Sequence, residues 1–195
     1  MILVITPEII VPNESKTINQ MFHEGLSLLH VRKPWIGQEE MNDFISSIDE
    51  QFYGQLVLHN HYYLGEDYGI SRLHFREKDR KEGKYKPFMN VSTISTSVHE
   101  IKTYNTLEKE WEYAFISPFF PSISKKGYGI GSTVIESLEQ RNNPNVKLVA
   151  LGGIDSNRIK EVFDLGVDGI ALLGAIWESN EPLHVFKKCR KSILL

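Results

Sequence analysis

The residues best able to do chemistry in this chain stand where apolar runs give out. The stretch 147–157 reads KLVALGGIDSN, a strand-like run ending in two glycines with a helix expected soon after. Without a Cβ at Gly152 and Gly153, backbone N–H groups there can approach an anion. The stretch 169–176, GIALLGAI, puts Gly174 after another such run. Each glycine alone can equally make a tight strand-to-helix turn; two such loops in succession suit a phosphate. A third stretch, 117–131, reads SPFFPSISKKGYGIG. Pro118 and Pro121 stiffen its entry, and Ser122, Ser124, Lys125 and Lys126 offer donors and positive charge. Gly127, Gly129 and Gly131 follow. This composition suits a loop that closes over a polyphosphate and excludes water, with an exposed, solvated loop as the alternative.

Side chains elsewhere extend this anion-binding character. Arg32 ends the run 28–32, where a largely buried guanidinium needs an oxyanion partner, or else makes a salt bridge at the surface. His59, His61 and His74 raise the question of zinc. His59 and His61 share a strand face only if the strand reaches 61, and no neighbouring thiolate or glutamate completes a ligand set. Polar pocket or structural roles are therefore read for them. Asp79 lies just past a strand end and can hold Mg²⁺, which is usually bound by one or two carboxylates plus substrate phosphates. A solvated surface aspartate is the other reading. No Ser-His-Asp or Cys-His nucleophile set is visible.

These residues need a scaffold that gathers them. Eight strand-like runs recur at 1–6, 28–32, 55–60, 72–75, 88–93, 113–118, 147–152 and 169–176. Continuous apolar runs, rather than strict alternation, suit parallel strands covered by helices. Helical periodicity is clearest over 37–49, 132–141, 157–165 and 181–193, with shorter candidates at 17–24 and 61–68. In the third of these, Ser156 is placed to cap the start and Gly166 to stop the helix. Eight strands with intervening helices predict a compact (β/α)₈ barrel in one domain, 1–195, although 195 residues is near the lower limit for that fold. The polar segment 76–87 predicts that the helix after strand 4 is missing or reduced to a turn. An open doubly wound sheet is the runner-up. In either fold, working residues belong at the C-terminal ends of strands.

Composition narrows the function class. With 22 Lys+Arg against 25 Asp+Glu, the net charge is −3, which argues against a general nucleic-acid binder. One cysteine, Cys189, excludes an internal disulfide framework and a multi-thiolate zinc site, and fits a reducing cytoplasm. No apolar run reaches the roughly 18 to 20 residues of a membrane span. Phosphorylated small molecules are the expected partners, with no nucleic acid and no membrane; a homo-oligomer is left open.

The order HVR, LHN, RLHFREKD, NVS, SPFFPSISKK, ALGGI and DGIALLGAI resembles the thiamine phosphate synthase and TenI-like (thiazole tautomerase) superfamily, over about residues 1–180. The resemblance implies a phosphate-binding barrel that uses Mg²⁺ to join a hydroxymethylpyrimidine diphosphate to a thiazole phosphate, releasing pyrophosphate. On that basis Arg32 binds diphosphate and Lys125 neutralises the leaving group. Ser122 and Ser124 contact phosphate oxygens, Asp79 holds Mg²⁺, and Ser92 lies near the pyrimidine. His74 matches a histidine on the fourth strand, and Gly153 and Gly174 lie in the loops that hold the thiazole phosphate. The chain also departs from the family. A Gln-x-Arg-x-Lys strand becomes His30-Val31-Arg32-Lys33-Pro34, and an Asn-Asp pair becomes His59-Asn60. His30 and Asn60 thus occupy substrate-site positions with altered chemistry. Lys33 faces the opposite side of its strand. A weakened synthase is expected. The alternatives are a tautomerase, which in the family relies on a histidine where this chain has Ser117-Pro118, and a catalytically dead phosphate-ligand binder.

Overall fold

A computed structural model describes residues 1–121, 123, 127 and 129–193. Eight parallel strands close into a barrel: β1 (Ile2–Ile5), β2 (Leu28–Val31), β3 (Leu56–Leu58), β4 (Arg72–Phe75), β5 (Thr93–Val98), β6 (Trp111–Ile116), β7 (Lys147–Leu151) and β8 (Gly169–Leu172), with β8 pairing back to β1. Helices connect them: α1 (Glu14–His23), α2 (Gln38–Ser46), α3 (Leu64–Tyr68), α4 (Glu77–Lys81), α5 (Ile101–Asn105), α6 (Val134–Ser137) and α7 (Ile159–Asp164). After β8 come α8 (Gly174–Trp177) and α9 (Pro182–Ile193). This is the predicted (β/α)₈ architecture.

Strand alternation sorts the side chains into two cores. Ile2, Val4, Leu29, Val31, Leu56, Leu58, Leu73 and Phe75 point outward against the helices. Leu3, Ile5, Leu28, Val57, Tyr113, Phe115, Val149 and Ala171 fill the lumen. A buried ion pair from Lys33 Nζ to Glu14 Oε1, at 2.7 Å, ties the end of β2 to the start of α1, and Lys33 Nζ also donates to the Ile9 carbonyl. Lys33 therefore faces away from the lumen, as the strand period requires.

The segment after β4 is shortened as expected. Five residues form α4, and turns occupy the remainder up to Ser92. The outer face of β4 is covered by side chains instead: Tyr85 and Phe88 pack on Phe75, and Tyr85 packs on Trp111 at 4.7 Å between centroids. The fifth strand lies later than the sequence suggested, at 93–98 rather than 88–93. Its inward residues are the hydroxyls Ser95 and Ser97, so no continuous apolar run marks it. Ser156 does not cap α7; the N-cap position is Arg158, and Asp155 Oδ1 accepts the Asn157 N–H at 2.8 Å.

Candidate active site

A pocket of about 230 Å³ opens at the C-terminal ends of the strands, where barrel enzymes place their working loops. One wall comes from β1, β7 and β8: Ile5, Leu151, Gly152, Gly153, Leu173 and Gly174. Gly153 has φ +63°, and a Cβ there would lie 2.3 Å from the Pro121 carbonyl oxygen. That crowding arises because the chain after β6 is stitched over the loop after β7, through Phe119 N–H to Leu151 O and Phe120 N–H to Gly152 O. Only glycine fits. Among the described residues, no acceptor pairs with the backbone N–H groups of Gly153, Ile154, Gly174 or Ala175.

The opposite wall carries cations and imidazoles: Arg32, His59, His74, Arg76 and Ser97. Arg32 donates to Glu8 Oε1 at 2.8 Å, and Trp35 Nε1 holds the other oxygen of that carboxylate at 3.0 Å. The guanidinium is thus both tethered by a salt bridge and aimed at the pocket. Arg76 follows β4 as Arg32 follows β2, and its Nε donates to Asp79 Oδ2 at 2.8 Å. Sequence reasoning passed over Arg76, although its position directly after a strand end was a usable signal.

Asp79 itself is buried behind Arg76, and Lys84 Nζ takes its Oδ1 at 3.1 Å. Burial alone would raise its carboxyl, but hydrogen bonds from Arg76 and Lys84 outweigh that and hold it below the ordinary value. Asn60 offers no second carboxylate. Its Nδ2 donates to the Lys33 carbonyl at 3.0 Å, and its Oδ1 is buried without a partner. One carboxylate already shared by two cations, with a neutral amide where a second would be, does not fit a resident Mg²⁺.

Other expected site residues are placed differently. Ser92 precedes β5, next to Thr93, whose N–H bonds to Ser71 O at the base of the barrel. It is therefore at the end remote from the pocket, and Ser97 takes the mouth position on β5. His30 is fully buried in the lumen and does not line the pocket. Ser122, Ser124 and Lys125 lie outside the described residues. His61 turns outward, bonding Tyr63 Oη and the Ile36 carbonyl.

Below the pocket, the imidazoles of His30, His59 and His74 meet. His30 Nδ1 is 2.8 Å from His59 Nε2, and His30 Nε2 is 2.8 Å from Tyr113 Oη. His74 bridges Ser95 Oγ and Ser97 Oγ, at 2.9 Å each. Burial, reinforced by nearby positive charge, lowers all three pKa values. His30 and His59 fall well below 6.5, and His74 falls to about 3, with Arg32 as the main charge acting on it. All three are neutral at physiological pH. Two of the positions that depart from the resemblance, 30 and 59, thus touch each other.

The fold and the two-walled pocket define a (β/α)₈ barrel protein with backbone N–H groups and arginines facing one pocket at the C-terminal ends of its strands. A profile described as thiamine monophosphate synthase matches residues 1–176, and the chain belongs to that family. A thiamine-phosphate synthase of Anoxybacillus flavithermus is 27% identical over 122 residues, 61% of this chain and 54% of that protein. One from Clostridium tetani is 23% identical over 167 residues, 83% of this chain and 79% of that protein. The chain thus aligns with about half the length of the first relative and most of the second. The solved thiamine phosphate pyrophosphorylase from Bacteroides thetaiotaomicron superposes with a TM-score of 0.82 at 25% identity, covering 100% of this chain and 98% of that one. Its Pyrococcus furiosus counterpart gives 0.82 at 19% identity, a likeness of fold.

Proposed function

We propose that the chain is a cytoplasmic transferase that makes thiamine phosphate from a hydroxymethylpyrimidine diphosphate and a thiazole phosphate, releasing pyrophosphate. The observation that carries this reading is a single pocket with backbone donors unpaired among the described residues on one wall and two arginines on the other. The thiazole phosphate is read onto the Gly153 and Gly174 loops, where N–H groups need no side chain. The diphosphate is read onto Arg32 and Arg76, with Lys125, Ser122 and Ser124 added on the strength of the resemblance. In the reaction the pyrimidine's exocyclic C–O bond breaks, and pyrophosphate leaves with the electron pair. The thiazole nitrogen then forms the new C–N bond to that carbon. Arg32 and Arg76 act where charge grows, on the departing oxygens, and one such stabiliser lowers the barrier by roughly 3–4 kcal/mol. The Mg²⁺ that the resemblance implies finds Asp79 already ion-paired, so leaving-group charge in this reading falls to side-chain cations. Pyrophosphate release measured with both substrates, in chelator and in Mg²⁺, tests the proposal. The second reading, a binder without turnover, rests on the same lost carboxylate at Asn60.

A further inference from the structure

We propose that His30, His59 and His74 form a site for a zinc-type divalent cation at the floor of the pocket, with one coordination position open to a ligand in the pocket. One ring nitrogen from each lies within 4.8 Å of the others. Zinc–nitrogen bonds of about 2.0–2.1 Å in a tetrahedral set put ligand nitrogens about 3.3 Å apart. The His30–His59 contact of 2.8 Å therefore needs to open by only about 0.5 Å to admit the ion. His59 and His74 stack, with centroids 4.3 Å apart, and stacked rings cannot aim lone pairs at one ion. His59 must turn, and it is half open to the pocket, which leaves it room to do so.

The surrounding hydrogen bonds orient the other two rings. Ser95 Oγ donates to the Leu73 carbonyl, so it accepts from His74 Nδ1–H. That leaves the lone pair of His74 on Nε2, which accepts from Ser97 Oγ at 2.9 Å on the pocket wall, and that hydroxyl must turn away for the ion to bind. Tyr113 Oη backs His30 at Nε2, leaving Nδ1 toward the site. Partners of this kind, on the far nitrogen of a metal-bound imidazole, fix its tautomer and direction. Burial keeps the rings in the neutral form that metals require. A set of three nitrogens selects zinc, cobalt or nickel over magnesium. The charged groups acting on the cluster are Arg32, Arg72 and Arg76, with Asp79 the one carboxylate opposing them at His74. A dication therefore gains most when an anion joins it from the pocket as the fourth ligand. The site stands independently of whether the pocket turns substrate over.

The test is titration of the metal-free full chain with Co²⁺, followed by absorption, with and without inorganic phosphate. The expected result is one equivalent bound with the intense visible bands of four-coordinate cobalt, displaced by Zn²⁺, and an affinity raised at least about fivefold by phosphate. His59→Asn should weaken binding beyond the roughly 10–100-fold typical of outer contacts, and Ser95→Ala, which removes the hydroxyl on the far nitrogen of His74, should fall within that range. His61→Asn should change nothing. Circular dichroism of each metal-free variant separates lost ligation from lost folding, and Ser95→Ala removes only a hydroxyl. Binding equal in wild type and folded His59→Asn, weak six-coordinate spectra, or loss of binding in His61→Asn would overturn the site. Indifference to phosphate would remove the fourth-ligand assignment.

Discussion

The two halves of the barrel lumen are built on different principles. Around β1, β7 and β8 the interior is Leu3, Ile5, Val149 and Ala171, and recognition at the mouth falls to backbone N–H groups. From β2 to β6 the interior adds His30, His59, His74, Ser95 and Ser97 to Leu28, Val57, Tyr113 and Phe115, and the mouth carries Arg32 and Arg76. Backbone donors survive most substitutions, provided the glycines that expose them remain. Side-chain donors change with each substitution, and the imidazole half is where this chain departs from its family. In the proposed reaction the glycine half takes the thiazole phosphate, while the imidazole half sets what happens opposite it.

The sharpest way to break the contrast is to give the glycine half a side chain. Gly153→Asp forces an L-residue to φ +63° and drives its Cβ into Pro121, at a strain cost of about 1–3 kcal/mol. Calorimetry should then detect no binding of a thiazole phosphate, while circular dichroism shows the barrel intact. On the other half, Arg76→Ala should lower kcat by about 100- to 1000-fold with a smaller change in KM, because leaving-group charge peaks in the transition state. Steady-state pyrophosphate release reads this directly. A KM change alone would move Arg76 from the reacting end to simple binding.

Asn60→Asp sharpens the comparison by restoring the family's carboxylate. It also removes the Nδ2 donor to the Lys33 carbonyl, so thermal unfolding should show a loss of about 1–3 kcal/mol without metal. Added Mg²⁺ should recover part of that loss in the variant and leave the wild type unmoved. At neutral pH the smallest effect is on acid stability, which shows only as pH falls. His74 titrates lower folded than unfolded, so its contribution is complete above pH 6.5 and is lost as pH falls toward 3. It contributes a slope of up to about 1.4 kcal/mol per pH unit in that window. His74→Gln should flatten denaturant-derived stability plotted against pH, whereas substitutions at Leu3 or Val149 should not.

The glycine half was legible in the sequence because its signals are local. A strand, two glycines and a helix lie within KLVALGGIDSN, and the positive φ of Gly153 needs nothing distant to be suspected. The imidazole half was not, because His30, His59 and His74 come from three strands, and only barrel closure with its register makes them meet. The same cause misplaced Ser92. With Ser95 and Ser97 turned inward, β5 lacks the apolar run that marks the other strands, and the serine at the mouth proved to be Ser97. Asp79 was correctly set after β4, but its pairing with Arg76 and Lys84 depends on how α4 and the turns after it fold back. The eight-stranded barrel itself was readable, since alternating strand and helix periods require no knowledge of side-chain partners.

The most direct test of the central claim, that the two halves act on two phosphorylated substrates in one pocket, is pyrophosphate release by the wild-type chain. With hydroxymethylpyrimidine diphosphate and thiazole phosphate together, release should exceed that with either alone, and it should persist in chelator because Arg32 and Arg76 meet the leaving-group charge. No release above background with both substrates, while thiazole phosphate still binds, would contradict the account and leave the protein a phosphate-ligand binder.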